Sequence, residues 1–485
     1  MRATVYKVEK KNFWWILIIF LLVAPIIVEF FTGDILYNLS HTSILNSQEF
    51  MYENFNLKSY DHYEKAIEED KKENETNITL SYAAFLLDEN GSNKESNSTT
   101  NSTTDIFMSE FIHAINSNAF YIVLTAFLYN FINVFKVFML YMTIFLSNLI
   151  ASTLSYIFQS PKPYMAFYRI KSVAFFNEWG SPNNQIIVLI AYGCAFYRVV
   201  IANKNLEKKL YAKIIILILL VIYGFIDGFL LFSSGNLTFN QLMLSVFLAV
   251  DIYLFIFHNF TINLNKARQF YDFLKFNTFY WLVLNALLLA FQLLLANFIT
   301  NKSDINYYEA NLQTQANRIP VNGFVKDYCK YRTTLSLNNG NFCNVISFLM
   351  NIVAFLSVKA DLKFNYANTY NSWNEGNFEN PKIGAINEDQ PGANEYNNFE
   401  QSQWNHNKCH IVLLRTILSV LFMAIIFCFF IWVTHFSDNE IVQFIFLIGM
   451  PLLLTVFGNL FLFKAIYIKI KLARKPKIKL KNLLY

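Results

Sequence analysis

The chain has 485 residues, of which 55% are hydrophobic, 18% aromatic and only 15% charged, with a formal net charge of +5. An average soluble domain carries about 25% charged residues, so a mean hydropathy of +0.31 over 56.7 kDa leaves too little polar surface for a water-facing protein. Five cysteines exclude a disulfide-framed secreted scaffold, and what remains is an all-α, polytopic helical membrane protein.

A helix needs about 20 apolar residues to cross the hydrocarbon core. The first such run extends from Phe13 to about Glu29, after Arg2, Lys7, Lys10 and Lys11. It is read as a retained span rather than a signal peptide, because Glu29-Phe30-Phe31 makes a poor small-residue cleavage site. Residues 33–118 carry 15 acids against 5 lysines and are rich in Ser, Thr and Asn, a composition expected to lack stable structure.

Further apolar runs follow at 119–158, 184–202, 213–232, 237–257, 277–299, 344–358, 410–434 and 441–466. The 119–158 run would be about 60 Å long as one helix at about 1.5 Å per residue, twice the thickness of the membrane core. It is therefore predicted to be two spans with a turn near Asn130, Asn133 and Lys136, for about ten spans in all.

Glycosylation triplets set the sidedness. Asn38, Asn74, Asn77, Asn90, Asn97 and Asn101 each start an Asn-x-Ser/Thr triplet within 33–118, and Asn301 starts another after the seventh span. An even number of spans must separate these loops for both to lie in the lumen or outside, and splitting 119–158 provides six. Positive charge agrees: the N-terminus, the group Arg198, Lys204, Lys208 and Lys209, the group Lys266, Arg268 and Lys275, and a tail with eight Lys/Arg between Lys464 and Lys481 fall on the cytosolic side. Both termini are then cytosolic, in the endoplasmic reticulum or another membrane of the secretory pathway or cell surface.

This map divides the chain into an N-terminus with the first span (1–32), a luminal or extracellular loop (33–118), a five-span core (119–260), and spans seven and eight with a luminal loop at 300–343 (261–359). An Asn-rich cytosolic linker (360–409) and spans nine and ten with the basic tail (410–485) complete it. Cys329 and Cys343 share the second luminal loop, where an oxidising compartment permits a disulfide. No histidine pair on a span has metal-ligand spacing, and no Gly-rich phosphate loop or nucleophile elbow occurs. No metal, cofactor or nucleic-acid partner is expected.

Three stretches stand out. They are Ser160-Pro161-Lys162-Pro163-Tyr164, then Asn177-Glu178-Trp179-Gly180-Ser181-Pro182-Asn183-Asn184-Gln185, and finally Gly235-Asn236-Leu237-Thr238-Phe239-Asn240-Gln241. The map puts all three at the luminal face. Their order and spacing resemble the type 2 phosphatidate phosphatase superfamily, especially its sphingosine-phosphate-phosphatase-like and glucose-6-phosphatase-like branches, over residues 110–260. Lys162-Pro163 stands where the family has Arg-Pro, and Gly180-Ser181-Pro182 resembles the approach to its Pro-Ser-Gly-His. Gly235, Thr238 and Gln241 resemble the residues around the third-motif histidine.

The departures fall on the chemistry. The first-motif lysine corresponds to Ser155, the second-motif Ser-Gly-His to Asn183-Asn184-Gln185, the third-motif Ser-Arg to Leu230-Leu231 and the nucleophilic histidine to Leu237. The resemblance implies a histidine that attacks phosphorus and another that protonates the leaving group. Leucine has no lone pair for attack, and glutamine is no general acid near neutral pH. The sequence therefore points to a catalytically inactive member that binds a phosphorylated lipid or a membrane partner protein. Lys162, Asn183, Asn184, Gln185 and Gln241 are the candidate ligand contacts, with the backbone N–H groups that open a span at 183–185; Arg169 and Lys171 are weaker candidates. The alternative for Lys162 is snorkelling to the interface. Two other readings remain open: an active lipid phosphate phosphatase using His113 or His435, and a transporter, scramblase or membrane-complex subunit whose intramembrane acids are Asp227 and Asp251.

Overall fold

A computed structural model describes residues 39–54, 103–131, 134–167, 178–201, 210–260, 267–298, 345–361, 409–434 and 445–472. It also describes Tyr308 and scattered positions between 23 and 37 and between 170 and 176. Every regular element among them is helical. In chain order these are α1 (39–54), α2 (Thr103–Ile115), α3 (Asn118–Leu128), α4 (Val134–Phe158), α5 (Pro163–Ala166), α6 (Asn184–Ile201), α7 (Leu210–Ser233) and α8 (Phe239–Phe260). Then come α9 (Ala267–Phe298), α10 (345–361), α11 (Cys409–Thr434), α12 (Met450–Phe457) and α13 (Phe463–Lys469). A π-helical turn, Gly458–Leu462, joins the last two, and a second, Ile445–Gly449, precedes α12, so that 445–469 is continuously helical.

Five stretches among the described residues are long and apolar enough to cross a membrane: Lys136–Ala166, Leu210–Ser233, Phe239–Ile256, His410–Val433 and Met450–Lys469. Asn118–Leu128, Asn184–Val199 and Leu282–Leu295 are shorter apolar helical stretches. Of the Phe13–Glu29 run only Val23 and Ile27 are described; both are helical and exposed. The long run at 119–158 breaks as its length requires: α3 ends at Leu128, Tyr129 and Asn130 turn, and α4 begins at Val134.

The burial pattern is inverted relative to a soluble protein. The two most apolar of the five stretches, in α7 and α11, are the least buried, at 17% and 22%. The less apolar Lys136–Ala166 is 83% buried. In water the most apolar helix would be innermost; a lipid-facing surface removes that pressure, and packing then selects the interior. α4 is the central helix, surrounded by α3, α6, α8 and α9. α6 packs on both α4 and α8.

The interior is tied by polar pairs between helices. Asn148 of α4 accepts from Asn118 Nδ2 at 3.1 Å and from Asn184 Nδ2 at 2.8 Å, joining α3, α4 and α6. Asn351 Nδ2 donates to Asn285 Oδ1 at 3.0 Å, joining α10 to α9. Asn130 donates to Ser419 Oγ at 3.3 Å, and Ser419 shares a hydrogen bond with the Tyr467 hydroxyl at 2.5 Å. Lys464 and Asp361 form a buried ion pair at 2.7 Å. Lys464 is thus part of the packed core rather than of an exposed basic tail.

The 33–118 segment departs from its expected lack of structure at both ends. In α1, Ser40, Ile44, Gln48 and Met51 are buried, a spacing that puts them on one helical face. In α2, Ile112 and His113 are buried, followed by Ile115 and Asn116. The segment's overall composition is polar, but these two stripes have the period of an amphipathic helix and dock on the bundle.

Candidate functional site

The three singled-out stretches meet at one end of the bundle, where α4 and α7 end and α6 and α8 begin. Gly180 N donates to Ser160 O at 2.7 Å, linking the first two. Asn183 Nδ2 donates to Asn236 O at 3.1 Å, linking the second to the third. Gln241 Nε2 donates to Pro161 O at 3.1 Å and to Ser160 Oγ at 3.4 Å, closing the ring.

Local chemistry explains each placement. Pro163 occupies the first turn of α5, where its missing N–H costs nothing, and Lys162 caps that turn with extended backbone. Asn183 caps α6: its Oδ1 accepts from Ile186 N at 3.1 Å. Thr238 and Gln241 form a capping box at the start of α8, with Gln241 N donating to Thr238 Oγ1 at 3.4 Å and Thr238 N donating to Gln241 Oε1 at 3.2 Å. Gly235, at φ +70°, turns the chain between α7 and α8. A Cβ there would stand 2.5 Å from Ile170 Cγ2.

Lys162 does not snorkel. It is 0% exposed; its Nζ donates to Phe176 O at 3.3 Å and lies 4.9 Å from the centre of the Phe176 ring. Tyr164 holds the same residue: its hydroxyl donates to Phe176 O at 2.9 Å and accepts from Phe176 N at 3.2 Å. His113 of α2 also packs on Phe176, with ring centres 4.9 Å apart. One aromatic ring thus connects Lys162 with a buried histidine.

The other predicted contacts are largely engaged within the chain. Gln241 is spent at both ends of its amide, on the capping box and on the Ser160–Pro161 carbonyl edge. Asn184 reaches back to Asn148. Gln185 Nε2 donates to Glu178 Oε1 at 3.2 Å, which puts a carboxylate beside the expected anion site. Asn183 N donates to Ser245 Oγ at 2.7 Å and Ile186 N to Asn183 itself, so the N-terminus of α6 offers fewer free N–H groups than the sequence suggested. Among the described residues, the Oγ of Ser181, Nε1 of Trp179 and Oε1 of Gln185 are buried without a hydrogen-bond partner.

At the positions that the resemblance assigns to catalysis, Leu237 is 0% exposed within the main apolar cluster. Ser155 is buried and donates to Ser152 O at 2.8 Å. Leu230 and Leu231 are buried in the same cluster as Leu237. The triplet asparagines Asn38, Asn74, Asn77, Asn90, Asn97, Asn101 and Asn301, the cysteines Cys329 and Cys343, and Arg169, Lys171 and His435 lie outside the described residues. Among the described residues, no three His, Cys, Asp or Glu side chains converge on a point.

Sequence reasoning missed several participants. Asn236 donates through Nδ2 to Ala174 O at 2.7 Å and to Ser234 Oγ at 2.8 Å, fastening the loop that carries Phe176. α1 covers this end, with Gln48 Nε2 donating to Ser233 O at 3.0 Å and Ser40 Oγ accepting from Phe239 N at 2.8 Å. Ser40, Ile44 and Gln48, four residues apart and buried in α1, were the available signal. Compared with protein families, curated proteins and solved structures, the chain matches none.

Proposed function

We propose that this chain is a catalytically inactive relative of the type 2 phosphatidate phosphatases. In this reading it is a ten-span membrane protein with both termini cytosolic, binding a phosphorylated lipid headgroup or a membrane partner at the convergent end. One observation carries the reading. Three stretches with family-like order meet in space, yet the position corresponding to the nucleophile holds a leucine sealed in the apolar core. A retained framework without a nucleophile supports binding, not hydrolysis. Lys162 supplies the cation, and Ser181 and Trp179 supply buried donors that a headgroup oxygen could satisfy.

The test uses purified protein in lipid nanodiscs. Phosphatidate or sphingosine phosphate is expected to bind, detected by native mass spectrometry, with no phosphate released. Binding is expected to weaken in Lys162→Ala. Release of inorganic phosphate by the wild-type protein would overturn the reading. The Lys162–Phe176–His113 arrangement favours a second reading, hydrolysis by His113, which predicts phosphate release that His113→Ala abolishes.

A further inference from the structure

Asp227 of α7 is 0% exposed, and no ion pair includes it among the described residues. It lies six residues before the end of α7, about 9 Å at 1.5 Å per residue. An ionised carboxylate in such a place costs several kcal/mol unless something positive or protonated compensates it.

Its surroundings are built from oxygen. Asn116, in the turn between α2 and α3, donates through Nδ2 to Asp227 Oδ1 at 2.8 Å and to Ile112 O at 3.1 Å. Both amide hydrogens are used, which fixes the amide's orientation and leaves its Oδ1 as a pure acceptor. Tyr223 stands one turn before Asp227 on α7. Tyr121 of α3 faces both Tyr223 and Asp227. The two tyrosine hydroxyls neighbour each other. Asp227 Oδ2 and Asn116 Oδ1 are therefore buried without a hydrogen-bond partner among the described residues, with the Tyr121 and Tyr223 hydroxyls beside them.

We propose that Asp227, Asn116, Tyr121 and Tyr223 form an intramembrane binding site for a monovalent alkali cation. The charge balance selects the class. One carboxylate neutralises one positive charge, whereas a divalent ion would leave a net charge in a low-dielectric interior. Hard oxygen ligands suit an alkali ion and not a thiophilic metal. Phenol and amide oxygens complete the coordination without adding charge. The inference does not rest on the headgroup reading, since Lys162 and its partners take no part in it.

Binding of radioactive sodium to the purified protein tests the site, by scintillation proximity at pH 7.5 with N-methylglucamine chloride keeping ionic strength constant. Saturable binding of about one ion per chain is expected. It should be lost in Asp227→Asn and kept in Asp251→Asn, which alters the other intramembrane acid. Replacing N-methylglucamine by sodium should also raise the melting temperature of the wild type saturably. Tyr223→Phe, confirmed as folded by gel filtration, should weaken binding about tenfold, the equivalent of one lost neutral ligand. Three results would each overturn the proposal: no saturable sodium binding, equal affinity in Asp227→Asn or Tyr223→Phe, or a melting temperature that ignores sodium and rises on acidification. The last would mean that Asp227 is simply protonated beside its Tyr121, Tyr223 and Asn116 neighbours.

Discussion

Gly180 and Gln241 are fitted to each other: a Cβ on Gly180 would stand 2.4 Å from Gln241 Nε2 and 3.0 Å from Pro161 O. The glutamine amide occupies the space that a larger residue at 180 would need, and uses it to bridge α8 to the 160–161 loop. Gly180→Ala is expected to push the amide off its acceptors and cost about 1–3 kcal/mol, the usual range for overpacking. Gln241→Ala removes the same bonds directly. The double variant should therefore lose less than the sum of the two singles, as read from thermal unfolding in nanodiscs.

Leu237→His restores the imidazole that the family resemblance places at the nucleophile position. Leu237 is fully buried within the apolar cluster, so the new imidazole is cut off from solvent. The expected outcome is a less stable protein that releases no phosphate from phosphatidate. Measurable turnover by this variant would show that the convergent end is still a working active site.

The Lys464–Asp361 pair is buried on both sides, with side-chain exposures of 3% and 0%. Removing Lys464 takes from buried Asp361 the cation 2.7 Å away, so Lys464→Met alone should destabilise by about 3–5 kcal/mol. Replacing both, Lys464→Met with Asp361→Leu, should recover most of that loss, because two apolar groups need no compensation. Thermal unfolding of the three variants distinguishes this from a generic packing effect.

Asn148 is the shared acceptor for Asn118 and Asn184. Asn148→Leu is close in size but leaves two half-buried amides without their shared acceptor. A loss of about 1–2 kcal/mol is expected, in line with interhelical hydrogen bonds inside membranes. Asn118→Ala in the same background should then cost less than it does in the wild type.

The elements were legible where one physical quantity decided them. Apolar run length located the helices, and the excess length at 119–158 required the break that Tyr129 and Asn130 make. α1 and α2 were hidden because an average over 33–118 erases a stripe of one residue in four. The capping box at Thr238 and Gln241 is written in the sequence as Thr-x-x-Gln before an apolar run, and a glutamine spent on that cap is engaged within the chain rather than held open as the expected ligand contact. Lys464 shows a different limit. A charge at the edge of a basic tail says nothing of a carboxylate 103 residues earlier that will meet it. Asp227 was visible as an intramembrane acid, but Asn116 and Tyr121 reach it only through the fold.

Among the described residues, α7 is buried against the bundle chiefly toward its C-terminal end. Its buried residues are Asp227, Leu230, Leu231 and Ser233, while Leu210 to Ile226 contribute none. The helix is in effect a lever, with its fulcrum at the carboxylate and about 24 Å of arm in whatever surrounds it, at 1.5 Å per residue. Anything that tilts that arm, such as a change in bilayer thickness, delivers its torque to the Asp227–Asn116 hydrogen bond.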